Sequence, residues 1–351
     1  MKKFDWFKTL IIVETIAIVV IFIGTLFKSF QGEPLPAEKS LNRDFTLVFQ
    51  DEFDGLTLDL LRWKIEDFSG NNNLRRAGYY SKDNVFLQNG NLVIRTNYST
   101  SNNKEGWYTG WIESSVNVNQ KNDIEGYQGF NSRGGYFEIR AQVPDSIGIW
   151  SAFWMMPDNN NYGSDKDILS SAEDGAEIDI MESPYAYLGS IMKEKVTPVV
   201  HADEFYSSTW YNDDSVKIVT NENGTDKYFY EYLKSYSGRT YYVPKLYTSM
   251  HTYGVDWYID DIDDSNSYLR FYVDDRMTFE INSDWNIKQL NRVIKMSIPK
   301  VSEYLLLTVE VGGTSENGVI TPGSWCGDPN KNDKSKNYDF LVDYVRVYKR
   351  N

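Results

Sequence analysis

From Phe45 onward the chain alternates hydrophobic and polar positions in short runs. Examples are Thr46-Leu47-Val48-Phe49, Val85-Phe86-Leu87, Asn91-Leu92-Val93-Ile94-Arg95, Tyr136-Phe137-Glu138-Ile139-Arg140-Ala141, Tyr268-Leu269-Arg270-Phe271-Tyr272-Val273 and Tyr344-Val345-Arg346-Val347-Tyr348. Strand side chains alternate between faces, so each run predicts a strand with one face in a core. Asn89-Gly90-Asn91 between two runs is a hairpin signal, and Asp274-Asp275 after Val273 is a second turn. Beyond the N-terminal segment no amphipathic helix pattern stands out. Many short strands with turn punctuation predict an all-β fold, a sandwich or jelly roll over residues 44–351. Two polar stretches, 158–175 and 203–242, interrupt the rhythm and read as loops bordering one face, where binding commonly resides.

The N-terminal segment follows a different pattern. Thr9 to Phe27 is almost wholly apolar, with Glu14 as its only charge, and Lys2, Lys3 and Lys8 precede it. Such a run spans a bilayer, and its flanking lysines place residues 1–8 in the cytoplasm. No small-residue cleavage site follows it. The expectation is therefore an uncleaved signal anchor over 9–28, a stalk over 29–43 containing Pro34 and Pro36, and a domain on the extracellular face of the membrane. Cleavage would instead release a secreted protein. The single Cys326 rules out an internal disulfide, so stability must come from the core, with a bound ion as a further possibility.

Composition narrows the ligand. Aromatic residues make up 15% of the chain, with 26 Tyr, 18 Phe and 10 Trp, more than a core usually needs and suited to stacking platforms. The net charge of −14 would repel a phosphate backbone, which argues against nucleic acid.

Candidate chemistry concentrates in Glu177-Ile178-Asp179-Ile180-Met181-Glu182. In a regular strand Glu177 and Asp179 share a face, whereas Glu182 has the opposite parity. A β-bulge between Asp179 and Glu182 restores Glu182 to the acidic face, with Met181 the natural residue to absorb it. Two carboxyl groups about 5–5.5 Å apart suit a retaining glycosidase, one attacking the sugar and the other acting as acid and then base. Asp179 between them could share a proton with a neighbour and keep the outer two in different ionisation states. Taken as a bare pattern, the stretch is equally open to a solvated acidic face or a metal site.

Flanking segments bear on that choice. Phe49-Gln50-Asp51-Glu52-Phe53-Asp54-Gly55, Gly134-Gly135-Tyr136-Phe137-Glu138-Ile139-Arg140-Ala141, Gly148-Ile149-Trp150-Ser151-Ala152-Phe153-Trp154-Met155-Met156-Pro157, the acidic stretch, His251-Thr252-Tyr253-Gly254-Val255-Asp256-Trp257 and Val342-Asp343-Tyr344-Val345-Arg346-Val347-Tyr348 occur in that order. Together they resemble glycoside hydrolase family 16, in particular its laminarinase-like branch, from about Phe49 to Tyr348. Ser151, where the family usually has Pro, and Gly110-Trp111 depart from the pattern. The resemblance implies a concanavalin A-like β-jelly roll with a concave substrate cleft and endo-acting, retaining hydrolysis of a β-glucan, most readily β-1,3-glucan or mixed-linkage glucan. It assigns Glu177 as nucleophile, Glu182 as acid/base and Asp179 as their helper, with no cofactor for catalysis. A galactan hydrolase, a transglycosylase or a non-catalytic sugar-binding protein remains an alternative.

The same resemblance suggests further roles. Trp150 and Trp154 share a face and are either core residues or sugar platforms. Glu138 and Arg140 share a face and either bind sugar hydroxyls or pair with each other. His201 matches a histidine the family often places near the reactive centre. Glu52, Gly90 and Asp343 fall where many members hold a structural Ca²⁺, a cation that suits carboxylate and carbonyl oxygens. The expected partner is the polysaccharide, and the expected state a monomer.

Overall fold

A computed structural model describes residues 33–34, 45–67, 76–101, 103–116, 125–158, 176–184, 194–202, 215–222, 225–232, 236–237, 241–282, 286–289, 292–295, 298–312 and 326–351. The architecture is all-β, and the described helical residues form only short 3₁₀ turns. The larger sheet has eleven strands. Its central path runs from Arg276–Asn282 through Tyr268–Val273, His251–Tyr258, Gly135–Gln142, Asn337–Arg350 and Asn91–Ser101 to Lys104–Thr109. The second sheet has nine strands, centred on Lys195–Ala202, Ala176–Ser183, Ile149–Pro157, Glu303–Val311 and Trp111–Glu113. We call the second the acid sheet, because it carries Glu177, Asp179 and Glu182.

Alternation explains the packing. Phe137, Ile139, Val255, Trp257, Phe271, Val345 and Val347 point inward from the larger sheet. Phe153, Met155, Ile178, Leu305, Leu307 and Val309 meet them from the acid sheet. Burying one such aliphatic or aromatic side chain is worth about 1.5–3 kcal/mol, so this shared layer holds the two sheets face to face. The chain passes from one sheet to the other at Gly110, between Lys104–Thr109 and Trp111–Glu113. A Cβ there would approach Val85 Cγ2 to 2.5 Å, so only glycine fits this crossing.

Both expected turns form. Gln88 pairs with Asn91, and Asn89 and Gly90 between them have φ of 54° and 72°. Val273 pairs with Arg276 around Asp274 and Asp275, at 48° and 61°. The first run departs from simple alternation. A register shift between Leu47 and Phe49 leaves Leu47 and Val48 facing solvent.

The stretch 203–242 is a correction. It contains the hairpin Ser215–Glu222 with Thr225–Tyr232, closed by the pair Glu222 and Thr225 around the intervening sequence Asn223-Gly224. Tyr236–Ser237 and Tyr241–Tyr242 pair with Lys195–Ala202. The expected loop at 158–175, apart from Asp158, and the anchor at 9–28 lie outside the described residues. Within the expected stalk, Glu33–Pro34 pairs with Arg276 and Met277 at the edge of the larger sheet, where a proline is tolerated. Among the described residues no helix is long and apolar enough to cross a membrane.

Candidate active site

Ile178 and Ile180 favour an extended backbone and anchor the acid strand Ala176–Ser183 in the core. Against Ile149–Pro157, Asp179 pairs with Trp154, Met181 with Phe153 and Glu182 with Ala152. On the other side, Asp179 pairs with Val199 and Glu182 with Thr197, again with a register shift between them. The bulge lies where parity demands it, but the residue without a counterpart on Ile149–Pro157 is Ile180 rather than Met181. Ile180 and Met181 both enter the core, and two successive inward side chains bring Glu182 back beside Asp179. Glu177, opposite His201, completes the row and is its most exposed member, whereas Asp179 is 2% and Glu182 8% exposed.

Trp150 and Trp154 lie on the same face as the acids, as their parity predicts. Trp154 is the more enclosed. Its Nε1 donates to Thr308 Oγ1 at 3.0 Å, and Trp111 meets its ring edge-on at 5.6 Å. Tyr80 in turn packs edge-on against Trp111, and Leu306 and Tyr304 complete the cluster. Trp150 is only partly buried, and the Arg76 guanidinium stands 4.9 Å from its ring centre. Arg76 also pairs with Glu310, which lies opposite Trp150 in the strand register. A flat indole face suits the C–H face of a pyranose, and Trp150 offers more of one than Trp154 does.

Three residues of this face were missed in the sequence: Tyr80, Trp111 and Thr308. Trp111 carried a signal, since it stands out at a departure from the family pattern and shares parity with Glu113. Glu113 is buried beside it, accepting from Trp111 Nε1 at 3.3 Å. Burial raises the Glu113 carboxyl above its usual range, although Lys64 opposes this. A further buried carboxyl, Glu303, accepts the Ala176 N–H at 3.2 Å.

The other expectations fare differently. Glu138 and Arg140 belong to the larger sheet, on the face turned away from the core, because Phe137 and Ile139 take the inward parity. That is a correction: neither stands with the acid row. Glu138 accepts from Tyr344 at 2.8 Å and Tyr136 at 3.3 Å, and Arg140 pairs with Asp343 rather than with Glu138. The strand register sets His201 opposite Glu177, but its side chain lies outside the described residues. A hollow of about 410 Å³ lined by Leu47, Phe49, Arg62 and Phe130 lies off the acid sheet and apart from this row.

The residues suggested for Ca²⁺ do not fit it. Both carboxylate oxygens of Glu52 accept from Arg346, at 2.8 and 2.7 Å, and Asp343 is engaged by Arg140. Each of the two carboxylates is thus already paired with a guanidinium of its own. Among the described residues no three His, Cys, Asp or Glu side chains gather to hold a metal.

Two packed sheets form a β-sandwich, and three carboxylates align on one outer face of it. Known proteins agree with that class. The chain is 27% identical over 319 residues to glucan endo-1,3-β-glucosidase A1 of Niallia circulans, covering 86% of this chain and 38% of that protein. It is likewise 27% identical to the β-glucanase of Rhodothermus marinus, covering 86% of this chain and 85% of the relative. Among solved structures, a non-specific endo-β-1,3(4)-glucanase of glycoside hydrolase family 16 superposes with a TM-score of 0.58 at 20% identity, covering 92% of this chain and 97% of that one. No family model matches the chain. These three proteins are β-glucanases, which bears out the resemblance to family 16. The chain is also 24% identical to a β-1,3-glucan-binding protein of Penaeus monodon, covering 86% of this chain and 90% of that protein. The structural likeness itself establishes the jelly-roll fold.

Proposed function

We propose that the chain is an endo-acting, retaining β-glucan hydrolase, cutting β-1,3-glucan or mixed-linkage glucan. The observation that carries this reading is the bulge, which puts Glu177, Asp179 and Glu182 on one face of one strand. In the first step Glu177 attacks the anomeric carbon, the glycosidic C–O bond breaks, and the departing oxygen takes the proton of Glu182. In the second, water attacks the same carbon, Glu182 accepts its proton, and the ester to Glu177 breaks. This route needs no cofactor. Asp179, almost fully buried between the two, is assigned the role of keeping their ionisation states apart. Trp150 and Trp154 are assigned to the glucan, and His201 to the vicinity of Glu177. We further assign residues 9–28 as an anchor that holds the monomeric domain on the extracellular face of the membrane.

Reducing-sugar release on laminarin, mixed-linkage glucan, agarose and carrageenan tests the reading. Release from either glucan supports it, and the products identify the linkage. Release from the galactans alone keeps the mechanism and moves the substrate, and longer oligosaccharides in place of reducing ends indicate transfer. Glucan binding by a folded chain without any release overturns the enzymatic reading.

A further inference from the structure

Beneath the acid row lies a carboxyl group that this mechanism does not use. Glu303 opens the strand Glu303–Val311 on the inward parity of Leu305 and Leu307, and its exposure is 0%. Its backbone is flanked by Pro157 and Ser132. Its Oε1 accepts the N–H of Ala176, the residue directly before Glu177, at 3.2 Å. Its Oε2 meets no hydrogen-bond partner among the described residues.

A buried carboxylate needs a cation or several donors, and among the described residues Glu303 has one amide. The charged neighbour acting on it is Glu177, which has the same sign. Asp158 from the neighbouring strand end is turned elsewhere, towards Ser115, the Val116 amide and Asn131. No lysine or arginine bonds to Glu303 among the described residues.

We infer that Glu303 is a positioning residue for the nucleophile: a neutral carboxyl that ties the start of the acid strand from beneath and sets where Glu177 stands without placing a second negative charge behind it. Burial, with the Glu177 charge acting in the same direction, holds the Glu303 carboxyl well above the usual carboxylate range. The negative charge of this pair then resides on Glu177, the group that must attack. The inference rests on the assignment of Glu177 as nucleophile.

The test compares Glu303→Gln and Glu303→Leu with the unaltered full chain. Glutamine keeps an acceptor and no charge, so Glu303→Gln should hold kcat within about threefold and leave the acid limb of the pH profile in place. Leucine removes the acceptor, so Glu303→Leu should lose kcat by about tenfold or more at a nearly unchanged KM. The Ala176 amide should lose hydrogen-exchange protection in the leucine variant and keep it in the glutamine variant.

Stability gives a second readout. A carboxyl whose folded-state proton affinity is raised contributes stability that is full below its unfolded pKa of about 4.3 and is lost as pH rises. Glu303→Gln should therefore melt higher than the unaltered chain at neutral pH, with the gap closing towards pH ~4. An acid limb moving down by about one pH unit in Glu303→Gln would show that Glu303 is ionised in the native enzyme and overturn the inference. So would an unchanged kcat in Glu303→Leu. Should the unaltered chain release no sugar, the catalytic reading fails separately. Ala176 protection and the melting gap then decide alone, and their absence overturns the inference.

Discussion

The acid strand and the outward face of the larger sheet carry charge in different ways. On the larger sheet charges stand in cross-strand pairs. Arg346 grips Glu52 with two hydrogen bonds, Arg95 holds Asp339 with two at 2.8 Å, and Arg350 reaches both oxygens of Asp256. On the acid sheet three carboxylates share one strand, and the positions opposite them hold Ala152, Trp154, Thr197, Val199 and His201. None of those five is a lysine or arginine. Cross-strand ion pairs neutralise charge where it stands and are chemically inert. Stacking like charges in a largely buried row disfavours folding, and groups arranged that way are where function is found. The contrast marks the row as the candidate site.

The largest effects should fall on the acid row. Glu177→Gln removes the nucleophile and should lower kcat on the order of 10⁴-fold or more, with the melting temperature unchanged or raised. Glu182→Gln removes the acid/base and should lower it by about 10²–10⁴-fold. Substantial turnover by purified Glu177→Gln would break the comparison at its centre. Because one carboxyl must be ionised while the other is protonated, kcat/KM should describe a bell against pH, and a profile flat through the acid range would contradict the two roles.

A backbone change sharpens the argument about the bulge. Deleting Ile180 leaves Glu177, Asp179 and Glu182 at strict alternation, so all three stay on one face with no bulge. The deletion variant should fold and lose more than about tenfold in activity, because Glu182 shifts relative to Glu177, yet lose less than Glu177→Gln. An unfolded product, judged by circular dichroism, would mean that the bulge serves the core through Ile180 rather than the site.

Much of this was legible in the sequence for local reasons. Strands follow from alternation, turns from Asn89-Gly90 and Asp274-Asp275, and the bulge from a parity mismatch within six residues. What escaped is non-local. Alternation shows that Glu138 and Arg140 share a face, but not that their strand belongs to the sheet without the acids. Glu303 reads as a charge at a strand end, where water is the ordinary expectation, and only the packing of Ala176 and Pro157 encloses it. The hairpin at 215–232 was hidden although Asn223-Gly224 announces it, because its Tyr-, Asn- and Asp-rich surroundings resemble a loop. Calcium was suggested because Glu52, Gly90 and Asp343 fall where many members of the resembled family hold it, and the sequence does not reveal that Arg346 and Arg140 pair with those carboxylates.

A smaller effect is expected under Trp154. Thr308→Val keeps the shape but leaves the buried Trp154 N–H without its 3.0 Å acceptor. The penalty for such an orphaned donor is about 1–3 kcal/mol, visible as a lower melting temperature and a modest rise in KM for laminarin. A rise in KM with no loss of stability would instead make Thr308 a direct contact to the sugar.

The smallest effect should come from the paired face. Arg346 and Glu52 are each about one-third exposed, so solvent screens their attraction despite the two-bond geometry. Arg346→Gln should lower stability by only about 1 kcal/mol, a shift of a few degrees in melting temperature, and leave kcat unchanged. Chelation supplies the complementary measurement. With a guanidinium on Glu52, adding EDTA or millimolar Ca²⁺ should leave the melting temperature of the unaltered chain within about 1 °C, whereas a ligand binding only the folded state would raise it with concentration. A calcium-dependent rise of several degrees that Arg346→Gln enhances would show the cation competing with the guanidinium for the same carboxylate. The larger sheet would then carry a binding site as well, and the division of labour between the two faces would no longer hold.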